Sequence, residues 1–364
     1  MSGLMIRPGD HNGEDITVEV TVTSIESNPS ELGPNEIAKE LVTVVDTFVV
    51  PIDPVVQGNP VLTIPNSSAS GLEDNMIDLG TFNVSLDGIT DTDGSEIYYV
   101  EIDQNSYPVK TKFWVDRVRQ TGTSFDGWLR LPGTENAQIS IRGPPNFSGM
   151  INLSVRGHIV DFTMSGQASA PTAPQSIAIS VYPVADGITP PTSKTVGVED
   201  NGPVAFGNTL ASTGLEPTDN GRKAGNNPES ETVSQILFVI PENTETLTYT
   251  ITGGSGNGTA QVSFDAGTRT YLISSTVLSS ISDLATLTQA QREEAEQDIR
   301  DTLATFQVEI GPKHNDANGN IAVTVTTLDV NLGKYATKDV DLDHDIVIQA
   351  VADTPSIFVH DTDQ

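Results

Sequence analysis

The stretch INLSVRGHIVD, residues 151–161, alternates apolar and polar side chains along most of its length. This period of two is typical of a half-buried β-strand, because successive side chains point to opposite faces of a sheet. Similar stretches follow turns rich in Pro, Gly and Asn at two other places: ITVEVTVTSI begins at Ile16 and IAVTVTTLDV begins at Ile321. One strand pattern therefore occurs three times, which predicts a repeated β unit.

A second strand follows the first in each copy and runs into an aspartate. The three versions are LVTVVDTFVVPIDP, QSIAISVYPVAD and HDIVIQAVAD, with aspartates at Asp53, Asp186 and Asp353. The opening half of the unit occurs only twice, as GLEDNMIDLG from Gly71 and as GVEDNGPVAFG from Gly197. We therefore predict three domains: the closing half of a unit at 1–62, a complete unit at 63–188, and a complete unit with insertions at 189–364.

The predicted fold class is all-β, built from tandem antiparallel β-sandwich domains. The strands are short and rich in Val, Ile and Thr, and clusters of Gly, Pro, Asn and Asp separate them. Such strands, grouped in repeated units of domain size, favour a cadherin-like or immunoglobulin-like sandwich.

One short helix is expected at residues 287–306, within an insertion of the last domain. Thr288 and Gln291 have the spacing of a capping box, which marks the start of a helix. The apolar stripe of this helix would consist of Ala295, Ile299 and Leu303.

Charge and composition narrow the choice of partners. The 364-residue chain has 49 Asp and Glu against 18 Lys and Arg, a formal net charge of −31, which argues against nucleic acid or anionic lipid and favours divalent cations. It has no cysteine, so disulfides cannot stabilise it, and a metal ion is the obvious substitute. No apolar run approaches the roughly 18 residues of a membrane-spanning helix, so we expect no membrane insertion.

Acidic residues concentrate at the unit junctions and in loops, where calcium is the predicted ligand. Calcium takes roughly six to eight oxygen ligands, and acids at alternate positions of a turning loop converge on one point. In DTDGSE, residues 91–96, Gly94 permits the required bend. The alternative is that Asp, Asn and Gly form turns there without any ligand. The predicted metal ligands are Asp53, Glu73, Asp74, Asp91, Asp93, Glu96, Asp186, Glu199, Asp200, Asp219, Glu231, Asp316, Asn318 and Asn320.

Catalytic motifs are not found in the sequence. The five histidines show neither HExxH nor any paired metal-binding spacing, and there is no GxSxG elbow, cysteine nucleophile or dinucleotide fingerprint. Carboxylates are too numerous for the sequence to select a glycosidase pair. We therefore expect a protein that is not an enzyme.

The phrases GLEDNMIDLG, LDGITDTDGSE, PVAD and VADTPSI resemble the repeating extracellular domains of RTX adhesins, large repetitive adhesins that Gram-negative bacteria secrete by a type I system. The resemblance covers residues 5–358. It implies an internal segment of cadherin-like or immunoglobulin-like extender domains at the bacterial cell surface, rigidified by calcium at the joints with neighbouring domains of the same chain. Such a segment would support cell-surface or cell–cell attachment and biofilm formation.

Two functions remain open at the level of binding. The chain is either a structural spacer, which its repetition and acidic junctions favour, or a module that itself binds a glycan, a peptide or a surface ligand. The second hypothesis places the ligand at the insertions 107–131 or 216–231, because loops that differ between units encode a particular partner. The first insertion carries Trp114 and Trp128 and an excess of Lys and Arg. A Trp at strand spacing is, however, more often part of a core than of a sugar-binding platform.

Overall fold

A computed structural model of the chain contains, within its described residues, 22 β-strands and two α-helices. The described residues are 5–8, 14–25, 41–53, 55–56, 58–87, 94–132, 136–163, 166–190, 194–198, 201–213, 215–218, 231–243, 248–255, 258–279, 288–311 and 318–349. Two compact units are distinguished. Unit 1 comprises Met1–Ala69, Met76–Arg142 and Ile151–Ile179, and unit 2 comprises Ser70–Asn75, Gly143–Met150 and Ser180–Gln364.

The first two strands form a sheet of their own. Strands β1 (Ile16–Ile25) and β2 (Leu41–Val50) pair antiparallel along their whole length, with Ile16 opposite Val50 and Ile25 opposite Leu41. No third strand pairs with either of them in the described part of the chain.

The next twelve strands form two sheets. Their bounds are β3 (Pro60–Thr63), β4 (Ser68–Leu72), β5 (Ile77–Leu86), β6 (Glu96–Asp103), β7 (Lys112–Val115), β8 (Val118–Gln120), β9 (Thr123–Phe125), β10 (Trp128–Pro132), β11 (Ala137–Arg142), β12 (Gly149–Thr163), β13 (Gly166–Pro171) and β14 (Gln175–Tyr182). One sheet has the order β4-β14-β12-β6-β10-β9, with β13 beside β12, and the other has the order β3-β5-β11-β7-β8.

These two sheets pack face to face as a sandwich. A Cβ atom added to Gly157 of β12 would lie 3.0 Å from Val84 and 3.4 Å from Leu62, which both belong to the other sheet. The two sheets therefore approach each other closely at this glycine. The core between the sheets is apolar, as the alternating sequence predicts.

Unit 2 is built on a six-stranded sheet with the order β15-β22-β21-β16-β19-β18. Its strands are β15 (Lys194–Val198), β16 (Thr232–Val239), β18 (Ala260–Asp265), β19 (Thr270–Ser275), β21 (Asn318–Asn331) and β22 (Lys334–Gln349). A separate pair consists of β17 (Thr248–Thr252) and β20 (Gln307–Gly311). Phe206, Phe238 and Phe306 meet in the core of this unit, with the Phe238 ring centroid 5.5 Å from that of Phe206 and 4.9 Å from that of Phe306.

The two large sheets share one strand order. The run β4-β14-β12-β6 in the first corresponds to β15-β22-β21-β16 in the second. The predicted all-β class with antiparallel sheets is confirmed, and most of the recorded pairings are antiparallel. The antiparallel expectation does not hold for β15, which runs parallel to β22.

The structure contains the predicted helix and one more. Helix α2 (Gln289–Ala304) begins with the expected capping box of Thr288 and Gln291. Its buried residues include the whole predicted stripe of Ala295, Ile299 and Leu303. Helix α1 (Phe206–Thr213) was not predicted, because it is only eight residues long and depends on the packing of Phe206 and Leu210 in the core. Neither helix is long and apolar enough to span a membrane.

Gly207→Ala in α1 should destabilise unit 2, although alanine is a better helix former than glycine by about 1 kcal/mol. A Cβ atom at this position would lie 1.9 Å from the carbonyl oxygen of Leu303 in α2, so the two helices would have to separate. We expect the free energy of unfolding to fall by about 1–3 kcal/mol in urea denaturation. Asn208→Ala, at the exposed neighbouring position, is the control and should not lower it. A stabilising Gly207→Ala would contradict this packing.

Candidate functional site

Five carboxyl groups of unit 2 are brought together by segments that are distant in sequence. Glu73 and Asp74 directly follow β4, Asp186 lies in the link after β14, Glu231 directly precedes β16, and Asp329 lies within β21. We call these five residues the acid cluster. Four of them were predicted from sequence as metal ligands.

Two glutamates of the acid cluster hold the link that carries Asp186. Glu73 is 3% exposed and accepts a hydrogen bond from the backbone N–H of Val184 at 2.5 Å. Glu231 is equally buried, and its Oε1 accepts hydrogen bonds from the N–H of Gly187 at 2.8 Å and from the hydroxyl of Thr327 at 2.5 Å. The backbone of the link is therefore hydrogen-bonded to two buried carboxylates.

Asp329 has the most unusual environment in the acid cluster. It is 2% exposed, and its pKa is raised to about 6, with burial as the largest cause. Within this net rise the hydrogen bond with Glu73 acts to lower the pKa, whereas the negative charge of Glu231 acts to raise it. Arg292 of α2 supplies a positive charge that acts in the opposite direction to Glu231. Asp329 therefore lies against two other carboxyl groups in a setting with little water.

The pKa of Asp186 is also raised by its surroundings. Burial and the charge of Asp74 raise its pKa, and the charge of Lys338 opposes that rise. The Lys338 ammonium also donates a hydrogen bond to the Asp186 carbonyl oxygen at 2.8 Å. The acid cluster thus shows the like-charge crowding that divalent cations relieve.

The chemistry of the acid cluster fits calcium, which prefers carboxylate and carbonyl oxygens. Asp329 Oδ1 is buried and has no hydrogen-bond partner in the described part of the chain, so it offers an oxygen that a cation would satisfy. Within that same part, no three His, Asp or Glu side chains are already placed to hold one ion. Holding one ion would therefore require some of these side chains to turn toward a common point.

Unit 1 has acids at the corresponding place in its own repeat. In unit 1, Glu96 is the first residue of β6 and lies directly opposite Asp161 of β12. In unit 2, Glu231 directly precedes β16, and β16 pairs with β21, the strand that contains Asp329. Asp161 is 5% exposed. Its Oδ2 accepts a hydrogen bond from the N–H of Val55 at 3.0 Å, and its Oδ1 accepts one from the hydroxyl of Ser95 at 2.7 Å. Val55 lies two residues after the predicted ligand Asp53, which is exposed.

A second feature of unit 1 is a cluster of arginines and aromatic rings around Glu101. This glutamate is fully buried and forms ion pairs with Arg130 at 2.8 Å and with Arg156 at 2.7 Å. The Nδ1 atom of His158 lies 2.7 Å from Glu101 Oε1. Burial alone would raise the pKa of Glu101, but hydrogen bonds with His158, Arg156 and Arg130 together lower it to about 2.

The two arginines of this cluster stack on aromatic rings. The Arg156 guanidinium carbon lies 4.0 Å from the centroid of Trp128. That of Arg130 lies 4.6 Å from the centroid of Tyr99 and 4.4 Å from that of Phe125. These are cation–π contacts. Trp128 lies in strand β10 and is partly buried. Trp114 is also partly buried.

Comparison with known proteins finds only distant structural similarity. No protein-family model and no curated protein matches the sequence. Among solved structures, the human desmocollin-1 ectodomain is 11% identical with a TM-score of 0.26. The alignment covers 94% of this chain and 48% of the desmocollin-1 chain. Mouse cadherin-23 EC22-24 is 13% identical with a TM-score of 0.26, covering 92% of this chain and 74% of its own. Mouse protocadherin-24 EC1-3 is 12% identical with a TM-score of 0.24, and the alignment covers 92% of this chain and 80% of the protocadherin-24 chain.

The chain spans 48%, 60% and 38% of the lengths of the first three similar structures. At these identities and TM-scores the comparisons carry no argument about fold, activity or ligands. The sandwich architecture stands on the sheets of the chain itself.

The other predicted ligands are not part of the acid cluster or lie outside the described residues. Asp53 and Glu96 belong to unit 1. The Asn320 amide donates to Asp345 Oδ1 at 3.4 Å on an exposed strand. Those outside the described residues are Asp91, Asp93, Glu199, Asp200, Asp219 and Asp316, and nothing is described of the Asn318 side chain.

Sequence reasoning missed Asp161 and Asp329. Both lie near the ends of repeated strands, in HIVD and TLDV, where an acid interrupts an otherwise apolar series. The structure places them at 5% and 2% exposure. An acid near the end of two copies of one strand, ten residues after Ile151 and eight after Ile321, is the signal that would have identified them.

Glu101→Gln should weaken unit 1 in a pH-dependent manner. Because the folded-state pKa of Glu101 is lowered from 4.5 to about 2, its contribution is fully present above pH 4.5 and is lost as the pH falls through about 2. We expect the variant to lose about 3 kcal/mol of unfolding free energy at pH 7, because two arginines lose their buried partner. The difference from wild type should shrink toward pH 2 in denaturant titrations.

Asp87→Asn, which removes an exposed acid of unit 1, is the matched control for Glu101→Gln. It should differ little from wild type at either pH. A Glu101→Gln penalty that stays constant from pH 7 to pH 2 would show that the ion pairs are not its origin.

Proposed function

We propose that the chain is an extracellular segment of an adhesion-type protein, in which calcium binds at the acid cluster of unit 2 and at the Asp161 site of unit 1. The observation that carries the proposal is the buried carboxyl group of Asp329, which lies against Glu73 and Glu231 and has an unsatisfied oxygen. A divalent cation neutralises such a group more fully than the single charge of Arg292.

In this proposal the ligands of unit 2 are Glu73, Asp329 and Glu231, with Asp186 and Asp74 at the border of the site. Those of unit 1 are Asp161 and Glu96, with Asp53. When bound, calcium would supply positive charge and would fix several oxygens in space. The chain contributes backbone N–H groups that orient the glutamates, as Val184 and Gly187 do.

Calcium would act mechanically, because each site includes the link that follows a closing strand. Fixing that link to its sandwich would restrict the directions in which the chain can continue beyond the closing strand. A chain with 49 acids, 18 basic residues and no cysteine also needs a stabilising element other than disulfides. The role is therefore that of a calcium-rigidified spacer, and neighbouring domains of the same protein are its first partners.

The finer assignment rests on the sequence resemblance to RTX adhesins. On that basis the segment belongs at a bacterial cell surface after type I secretion, where it supports attachment and biofilm formation. No enzymatic role is proposed.

Calcium should raise the thermal unfolding temperature of the full chain, and magnesium should do so much less, because magnesium sheds its water reluctantly and prefers a small octahedral site. One ion at a hundred times its Kd adds about 2.7 kcal/mol if it binds only the folded state. Differential scanning calorimetry in EDTA, magnesium and calcium tests this. Equal melting temperatures in all three would remove calcium from the proposal.

Asp329→Asn provides a sharper test, because two effects of opposite sign are expected. Removing a charge from a crowded, buried group should raise the melting temperature of unit 2 in EDTA. The same change removes a ligand, so the increase on adding calcium should be largely lost. Asp343→Asn, which neutralises an exposed acid of β22, is the control and should change neither value. An Asp329→Asn variant that keeps the full calcium effect would place the ion elsewhere.

A second candidate function is favoured by the arginine–aromatic cluster of unit 1. Phe125 is 49% exposed and stacks with Arg130, so aromatic surface and positive charge occur together on a very acidic chain. Such a surface suits an acidic glycan. Phe125→Ala should abolish any specific signal on a glycan array, whereas Phe264→Ala, at a similarly exposed phenylalanine of unit 2, should not. If the wild-type chain gives no signal on the glycan array, the calcium-rigidified spacer would remain as the single proposed function.

A further inference from the structure

Lys338 brings a positive charge to the acid cluster of unit 2. In the antiparallel pairing of β21 with β22 it lies directly opposite Thr327, and cross-strand partners share one face of a sheet. Asp329 is two residues further along β21, so its side chain is on this same face. The Thr327 hydroxyl in turn donates a hydrogen bond to Glu231. The register therefore places Lys338 on the face of the sheet at which the acid cluster forms.

The side chain of Lys338 is positioned by the link after β14. A Cβ atom added to Gly187 would lie 3.3 Å from the Cδ atom and 3.5 Å from the Cε atom of Lys338, so this glycine lies against the lysine stem. The N–H of Gly187 also donates to Glu231 at 2.8 Å. The lysine ammonium donates to the carbonyl oxygen of Asp186 at 2.8 Å. Consecutive residues of one link therefore contact the lysine and a glutamate of the acid cluster.

Lys338 is one of two cations that oppose the negative charge of the acid cluster. Its charge acts on Asp186, against the effects of burial and of Asp74, and the charge of Arg292 acts on Asp329. The two cations differ in burial, because Arg292 is 7% exposed whereas Lys338 is an exposed residue. A lysine ammonium on a flexible stem can move into water without leaving a buried gap. Lys338 is therefore the cation that is free to move away.

We propose that Lys338 is a displaceable counter-ion of the calcium site, which holds the Asp186 carbonyl oxygen in the calcium-free chain and releases it to the ion. This inference rests on the proposed calcium site of unit 2. Calcium takes backbone carbonyl oxygens as ligands in addition to carboxylates. An ammonium group beside a divalent cation is repelled, so it must leave that oxygen. Lys338 therefore lowers the affinity for calcium while it stabilises the calcium-free acid cluster.

The effect of this charge has a predictable size. Two unit charges about 4 Å apart in water change an equilibrium constant roughly fivefold, and a divalent ion doubles the interaction energy, which gives roughly thirtyfold. Salt screens such interactions between exposed charges. We therefore expect loss of the lysine charge to lower the calcium Kd roughly five- to thirtyfold at low ionic strength, and clearly less at about 0.5 M salt.

Isothermal titration calorimetry of Lys338→Met tests this inference. Methionine keeps an unbranched stem that can pack against Gly187, and it removes the ammonium group. The measurement uses the full chain with Asp161→Asn, in which the calcium proposal leaves only the site of unit 2. Lys194→Met is the matched control, because Lys194 is an exposed lysine of β15 opposite Asp345, seven residues along β22 from Lys338. The control should keep the calcium Kd of its parent chain.

Thermal unfolding in EDTA separates a charge effect from a structural one. Lys338→Met removes a counter-ion, so its calcium-free form should melt at a lower temperature than the parent chain, although the variant binds calcium more tightly. If the lysine only supported the fold, its removal would lower both the melting temperature and the calcium affinity.

An unchanged or raised calcium Kd in Lys338→Met would overturn the inference, and so would a lowered Kd that does not respond to salt. If Asp329→Asn removes calcium binding while Lys338→Met leaves the Kd unchanged, the calcium site stands and the role of the lysine fails. If no chain binds calcium, both fail.

Discussion

A carboxylate buried beside other carboxylates is the constraint on which the organisation of unit 2 depends. Transferring a charged group away from water is costly unless a partner compensates the charge. Asp329, at 2% exposure, has Glu73 and Glu231 as its nearest acidic neighbours and Arg292 as an opposing charge. Backbone N–H groups of the link after β14 donate one hydrogen bond to each of the two glutamates, which satisfies part of their hydrogen-bonding capacity. The remaining imbalance is what calcium would remove.

The repeated strand order explains why such a place recurs. In each sheet the long closing strand, β12 or β21, pairs with a strand that begins at or just after an acid, Glu96 or Glu231. In unit 1 the acid on the long strand, Asp161, accepts a hydrogen bond from the link after β2, and in unit 2 the link after β14 donates to Glu73 and Glu231.

The sequence was sufficient where a regular pattern controls the structure, and insufficient where tertiary packing does. Alternation predicted the strands around Ile151 and Ile321, and the capping box with its stripe predicted α2. Helix α1 and the parallel pairing of β15 depend on contacts between distant segments, which no local pattern reveals. Asp329 was missed for the opposite reason: it interrupts the alternation, and only its burial shows that the interruption is a site.

The most direct test is the number of calcium ions bound by the full chain, measured by isothermal titration calorimetry. We expect at least two sites, with Asp329→Asn removing one, Asp161→Asn removing another, and the double variant losing both. Absence of binding heat, or an unchanged number of ions in the double variant, would contradict the assignment of calcium to these buried acids.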